Sequence, residues 1–361
     1  MKILHVDTGL EWRGGQQQVF YLHSILTRMG VQSNLICSAR GALAARAARA
    51  GLPVTPMNLG GEFDLLSARK IAGMLNSGDV DLLHLHSSHA HGIGMAAAFM
   101  ARFLKVVVTR RVDFRPKSHP LNRWKYGPGV ARFVAISEII RNILKEFGVP
   151  ESRMRLVHSG VDPDRPRPGT GPAFRREFSI PEDSPLIGNI GALADHKGQR
   201  YLVEAAPMVL AARPDARFVI VGAGELMGEL KSLAASLGLG DRLIFTGFRK
   251  DVEVALDAFD LFAMPSHMEG LGTAVLDAFA ARRPVVAARG GGIPELIEDN
   301  VDGLLVEPKN PRALADAILR VLSEEGLGKT LAAAAREKVE TKFSAQAMAE
   351  GNLAVYRELC F

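Results

Sequence analysis

The chain has 361 residues, 47% of them hydrophobic and 23% charged, which is too long for one small core and excludes a disordered or low-complexity protein. Two cysteines, Cys37 and Cys360, exclude a disulfide-built fold and fit a reducing compartment, so the expected location is the cytoplasm, including the inner face of the plasma membrane. The net charge of +5 is uneven: residues 1–165 hold 22 Lys and Arg against 12 Asp and Glu, and the remainder 22 against 27, so the first part is the one suited to an anionic partner.

In chain order, Lys2 to Val6 is a short apolar run, followed by a polar loop with Gly14-Gly15 and a helical pattern from Gln16 to Met29. The same strand, loop, helix unit recurs at Ser33 to Cys37 with Ala42 to Ala50, and at Asp81 to His86 with Ala90 to Phe103. Lys105 to Thr109, and Arg132 to Ile136 with Ser137 to Phe147, continue it. These strands are continuously apolar rather than alternating, which predicts a parallel sheet covered on both faces. The longest apolar run, Gly92 to Ala101, is too short to span a bilayer.

Four prolines and three glycines between residues 160 and 172 then predict a linker. The pattern restarts at Leu186 to Ile190 and runs through Tyr201 to Ala211, Arg217 to Val221, Glu225 to Leu237, Arg242 to Phe245, Leu261 to Met264, Thr273 to Ala281 and Val285 to Ala288. Long helical patterns close the chain, and Ser344 to Leu359 is expected to pack back on the first domain. The expectation is an α/β protein of two doubly wound, Rossmann-like domains, residues 1–165 and 166–343, with 344–361 returning to the first.

The stretch from Pro265 to Asp277 carries most of the chemistry. A strand runs into a glycine-punctuated turn, and a helix opens at Gly272 or Thr273 with an acid on each side of the opening, Glu269 and Asp277. The amides at a helix start, from Gly270 and Leu271 to Gly272 and Thr273, suit a phosphate, and the two carboxylates suit hydroxyls. On its own the stretch reads equally as a plain connection with two solvated acids. Gly14-Gly15 can cradle a phosphate or be a tight turn, and Lys197, just before the next helix, can neutralise a leaving diphosphate or be a surface lysine. Val221-Gly222-Ala223-Gly224 is an incomplete dinucleotide fingerprint, Thr246-Gly247-Phe248-Arg249 offers backbone to the edge of a base, and Gly290-Gly291-Gly292 marks a further strand end. All the motifs after the linker fall at the carboxyl ends of presumed parallel strands, where open α/β sheets bind ligands.

The ordered series of the Gly-Gly loop, Lys197-Gly198, Gly222-Ala223-Gly224-Glu225, Thr246-Gly247-Phe248, Pro265-Ser266, Glu269 with an acid eight positions on, and Gly291-Gly292-Ile293-Pro294-Glu295 resembles the family-4 retaining glycosyltransferases of the GT-B fold. The resemblance covers nearly the whole chain. It implies a nucleotide-sugar held between two Rossmann-like domains, with no cofactor and no catalytic metal. Glu269 would take hydroxyls of the donor sugar, Lys197 the diphosphate, the amides of Gly270 to Thr273 a phosphate, Asp277 the ribose, and the loop at Phe248 and Arg249 the base. Three positions depart from the family pattern. Asp277 stands where Glu is usual, Ala192 where an arginine is common, and Arg110-Arg111 follows the Thr109 strand where many members have a histidine; arginine cannot serve as a base at neutral pH.

His84, His86, His89 and His91 crowd one strand end, but no cysteine or close carboxylate joins them, so metal ligation is not expected. His84 and His86 share a strand face, which lets one of them help bind a sugar. The spacings Asp79-Val80-Asp81 and Asp162-Pro163-Asp164 match a short acidic metal motif of another fold, at a level chance supplies among 39 acids. From Arg102 to Arg132 there are nine basic residues and one acid, Asp113, interleaved with Phe103, Phe114, Trp124 and Tyr126. This is either a solvated basic face or an acceptor site for an anionic lipid or phosphorylated glycan, with His86, Arg110, Arg111 and Asp113 as its candidate residues and an anionic membrane as a further partner. No nucleic-acid recognition motif accompanies it.

The expected function is transfer of a hexose-like sugar, with retention, from a UDP- or GDP-sugar to a hydroxyl of a cell-envelope glycan, as in lipopolysaccharide biosynthesis, or of a lipid-linked acceptor. The alternatives are a sugar-nucleotide epimerase of the same architecture, revealed by an epimerised donor, and an inactive nucleotide-sugar-binding protein, revealed by tight binding without nucleoside diphosphate release.

Overall fold

The computed structural model describes all residues, 1–361, as two compact units: 1–160 with 345–361, and 161–344. In the first unit the chain runs β1 (Lys2–Asp7), α1 (Gly14–Arg28), β2 (Gln32–Ser38), α2 (Ala42–Arg49), β3 (Val54–Met57) and α3 (Leu65–Asn76). It continues through β4 (Leu82–Leu85), α4 (Ser88–Ala101), β5 (Val106–Arg110), α5 (Pro120–Lys125), β6 (Arg132–Ala135), α6 (Glu138–Glu146) and β7 (Met154–Leu156). All seven strands are parallel, in the order β3-β2-β1-β4-β5-β6-β7. The central strands are buried on both faces, as their apolar runs require.

The second unit opens with α7 (Gly171–Glu177), a short helix that begins at the end of the segment the sequence marks as linker. It then runs β8 (Leu186–Ile190), α8 (Gln199–Ala212), β9 (Arg217–Val221), α9 (Met227–Ser236), β10 (Leu243–Gly247), α10 (Val252–Ala258), β11 (Leu261–Met264) and α11 (Thr273–Ala280). β12 (Val285–Ala288), α12 (Ile293–Leu296), β13 (Leu304–Val306), α13 (Pro311–Ser323) and α14 (Leu327–Thr341) complete it, with the six strands in the order β10-β9-β8-β11-β12-β13. The last helix, α15 (Ala345–Cys360), belongs to the first unit and lays Ala345, Met348, Leu353 and Tyr356 against Tyr21, Leu22 and Ile25 of α1. Arg155 and Arg132 pair with Glu358 at its end, at 2.7 and 3.2 Å. Both cysteines are free, and no helix is long and apolar enough to cross a membrane.

Each sheet has one place where the strand order reverses. In the first unit it lies between β1 and β4; in the second it lies between β8 and β11. The loops leaving two such neighbouring strands diverge to opposite sides of the sheet and leave a crevice at the carboxyl edge.

Candidate functional site

In the second unit the crevice is built by the loops after β8 and β11. Lys197 follows β8, in a single 3-10 turn, and Glu269 follows β11. Their side chains meet: Lys197 Nζ lies 2.6 Å from Glu269 Oε1, and Ser266 Oγ donates to the same oxygen at 3.0 Å. Glu269 is 7% exposed and Ser266 fully buried, so the carboxylate is fixed by two donors in a setting where each interaction is stronger than in water. The lysine keeps about a quarter of its side-chain surface exposed (23%), leaving donors for a ligand.

The glycines explain how two loops come this close. A Cβ on Gly198 would sit 2.2 Å from the Pro265 carbonyl oxygen, and one on Gly291 2.1 Å from the Glu269 carbonyl oxygen. Gly291 also has φ +58°, and Gly292 N donates to Glu269 O at 2.8 Å, so the 290–292 turn props the backbone that carries the carboxylate. Gly222 and Gly224 do similar packing against the 191–193 loop, where a Cβ would come within 1.9 Å of Gly191 O and 2.3 Å of Leu193 O. α11 starts at Gly272, φ +93°, with no side-chain cap and no acid in its first turn, so the amides beginning it are open to an anion; Gly270 and Leu271 lead into that start.

Asp277, in α11, lies in an ion-pair cluster that sequence order hides. Arg165 Nη1 is 3.2 Å from Asp277 Oδ1, and its Nη2 is 3.6 Å from Glu253 Oε2. Burial pushes the Asp277 carboxyl above its ordinary range, Glu253 adds to this, and Arg165 opposes it. Phe248 is 62% exposed at the end of β10. The neighbouring Arg249 guanidinium is committed elsewhere, pairing with Glu177 at 2.6 Å and Asp251 at 2.8 Å and lying over the rings of Phe174 and Phe178. Its side chain is therefore a structural clamp, and what this loop offers a ligand is the Phe248 ring and its backbone.

In the first unit the reversal brings together the loops after β1 and β4. Gly14 and Gly15 open α1, whose N-cap, Arg13, does not cap the helix through its side chain. Asp7 Oδ1 accepts from Gly9 N at 2.9 Å and from Gln16 Nε2 at 3.1 Å, which shapes this loop. Arg111 comes from beyond β5, its Cδ 4.0 Å from where a Cβ on Gly15 would lie, and Nη1 donates to the His86 carbonyl oxygen at 3.4 Å. It forms no ion pair, and burial lowers its pKa to about 10 against the pull of Asp7, so it remains a cation at neutral pH. Arg110 instead donates to Tyr126 Oη at 2.5 Å and to the Phe114 carbonyl oxygen, fixing the loop that contains the half-buried Asp113.

His5, His84 and His86 form a buried polar seam rather than a solvent-facing row, while His89 is exposed. Parallel register sets His5 of β1 opposite His84 of β4. His5 Nδ1 lies 2.9 Å from His86 Nε2, and His84 bridges Tyr356 Oη at 2.5 Å and Thr109 Oγ1 at 2.7 Å. Ring nitrogens of His5, His84 and His86 come within 4.8 Å of one another, a triad in which His5 is the member no spacing rule finds. Burial drives all three well below the usual histidine range, so they are neutral; both nitrogens of His84 are already in use.

Two family models match the chain: Glycosyltransferase Family 4 over residues 12–165, and Glycosyl transferases group 1 over residues 172–338. Among curated proteins, the chain is 31% identical over 270 residues to a GDP-mannose-dependent alpha-(1-6)-phosphatidylinositol monomannoside mannosyltransferase of Mycobacterium tuberculosis, covering 72% of this chain and 65% of that protein. It is 28% identical over 345 residues to the Escherichia coli UDP-Gal:alpha-D-GlcNAc-diphosphoundecaprenol alpha-1,3-galactosyltransferase, covering 91% of this chain and 89% of that one. Among solved structures, Anabaena HepE in complex with UDP and glucose superposes with a TM-score of 0.87 at 22% identity, over 99% of this chain and 100% of that chain. A glycosyltransferase from Rickettsia africae gives the same TM-score at 24% identity, over 99% and 98%.

Proposed function

Because the chain belongs to the family-4 glycosyltransferases of the GT-B fold, we propose that it transfers a hexose-like sugar, with retention of configuration, from a UDP- or GDP-sugar to a hydroxyl of a cell-envelope glycan or lipid-linked acceptor. The observation that carries this is the Lys197–Glu269 pair, 2.6 Å apart at the point where the strand order of the second unit reverses. An ammonium and a carboxylate fixed side by side suit a ligand that presents an anion next to a polyol, which is what a sugar diphosphate does.

In this reading Lys197 and the amides that open α11 stabilise the charge that grows on the departing diphosphate, and Glu269 orients the sugar through its hydroxyls. Neither residue needs to act as a nucleophile. Retention then follows if the acceptor hydroxyl attacks from the face the diphosphate leaves, giving its proton to the leaving phosphate oxygen. Asp277 takes the ribose and Phe248 the base. Arg111, a cation without an acid partner beside Gly15, favours an acceptor that carries a phosphate or another anionic group, and the relatives named for phosphatidylinositol mannoside and diphosphoundecaprenol acceptors are of that kind.

Lys197→Ala is expected to lower turnover about a hundredfold or more with donor saturating, the size of losing one preorganised electrostatic group. Unchanged transfer in that assay removes Lys197 from the mechanism.

A further inference from the structure

Phe63, Leu65 and Leu66 are 72%, 62% and 78% exposed where the chain enters α3. Water is a poor place for three large apolar side chains within four residues, and the helix start does not require them there. Its cap is Asp64, which accepts from Ser67 N at 3.0 Å and Gly60 N at 2.8 Å. One turn on, Arg69 and Lys70 are exposed and have no acidic partner.

The segment is held firmly. Glu62 accepts from the buried Lys125 Nζ and packs against Gly92, which ties the entry to α3 to the end of α5. There Trp124 is 40% exposed, and Arg123 reaches only the Ser118 hydroxyl, at 3.3 Å. Of the nearby acids, Glu62 is neutralised by Lys125 and Asp64 is engaged by two amides, so the charge this face shows to solvent is positive.

We propose that the face formed by the start of α3 and the end of α5 docks on an anionic lipid surface, with Phe63, Leu65 and Leu66 entering the acyl boundary and Arg69, Lys70 and Arg123 meeting lipid head groups. Apolar tips ringed by unpaired cations are the arrangement that binds such a surface by burial and by charge together. The docking deepens the lipid-linked acceptor reading and rests on it only for its purpose; the binding itself is measured without any sugar transfer.

The full chain is sedimented with phosphatidylcholine vesicles containing about 30% phosphatidylglycerol, and with pure phosphatidylcholine vesicles. The chain is expected to bind the anionic vesicles, less so as salt rises, and the neutral ones weakly. The double variant Phe63→Ser with Leu66→Ser is expected to lose tenfold or more in partitioning, roughly the value of removing buried apolar anchors. Arg69→Glu with Lys70→Glu should lose a similar factor on anionic vesicles and little on neutral ones. Both variants should melt as the parent does and keep the thermal shift given by a nucleotide-sugar, which separates failure of this docking from failure of the donor site. Absence of binding by the parent, or binding by the apolar variant equal to the parent's, overturns the proposal. So does loss of transfer to a water-soluble acceptor in the apolar variant, since the patch would then be part of the acceptor site.

Discussion

Single side chains decide the chemistry because each is held in place by its surroundings. Glu269 is the clearest case: two donors converge on one of its oxygens, so Glu269→Gln keeps shape while losing the charge that orders Lys197. The buried histidines show the opposite use of burial. His23, 2.7 Å from Ser33 Oγ, is lowered to about 4 by desolvation, against an ordinary value of 6.5. Its folded pKa is depressed, so the unfolded chain binds the proton first, and stability falls as pH drops from 6.5 towards 4. The loss from this residue alone is on the order of 3 kcal/mol. Denaturant melts at pH 7 and pH 4.5 test this: the parent should lose stability steeply, and His23→Asn should lose less over the same interval. A parent equally stable at both pH values would rule out a neutral buried His23.

The elements were legible in the sequence to different degrees, for physical reasons. Parallel strands buried on both faces read as apolar runs, so the central strands of both sheets stand out. β3 is a four-residue edge strand containing Pro56, β7 and β13 have three residues each, and such short pieces leave no periodic trace. α3 begins with two exposed leucines, which contradict an inward apolar stripe, and α7 lies in a proline-rich stretch. At the site, sequence order singles out Lys197 and Glu269, and also Asp277, but not that the first two touch, nor that Ser266 supports Glu269 and that Arg165 and Glu253 surround Asp277. Ser266 sits in the loop of Glu269 itself, whereas Arg165 and Glu253 come from other elements that the fold brings to Asp277. Two predictions belong to this scale. Gly291→Ala, at a positive φ and facing the Glu269 carbonyl, should lower activity at least tenfold while the fold persists, read as a kcat loss with an intact melt. Tyr356→Ala, which leaves a cavity under α15 and frees His84 Nδ1, should cost about 3–5 kcal/mol in denaturant unfolding of the first unit.

For the molecule as a whole, charge and chemistry are divided between the units. The excess of basic residues falls before residue 166, together with Arg111, the exposed apolar face at α3 and the glycine start of α1. The Lys197–Glu269 pair, the Arg165–Asp277 pair and the start of α11 all fall in the second unit, which is one continuous segment, 161–344. The residues proposed for the sugar diphosphate and the ribose, Lys197, Glu269 and Asp277, thus come from a single unit. The most direct test is a thermal-shift titration of the full chain with UDP-glucose, UDP-galactose and GDP-mannose, beside Lys197→Ala and Glu269→Ala. At least one of these donors should raise the melting temperature of the parent, and the shift should shrink strongly in both variants. A parent that responds to none of them, or variants that shift as far as the parent does, would contradict the assignment of Lys197 and Glu269 to the donor.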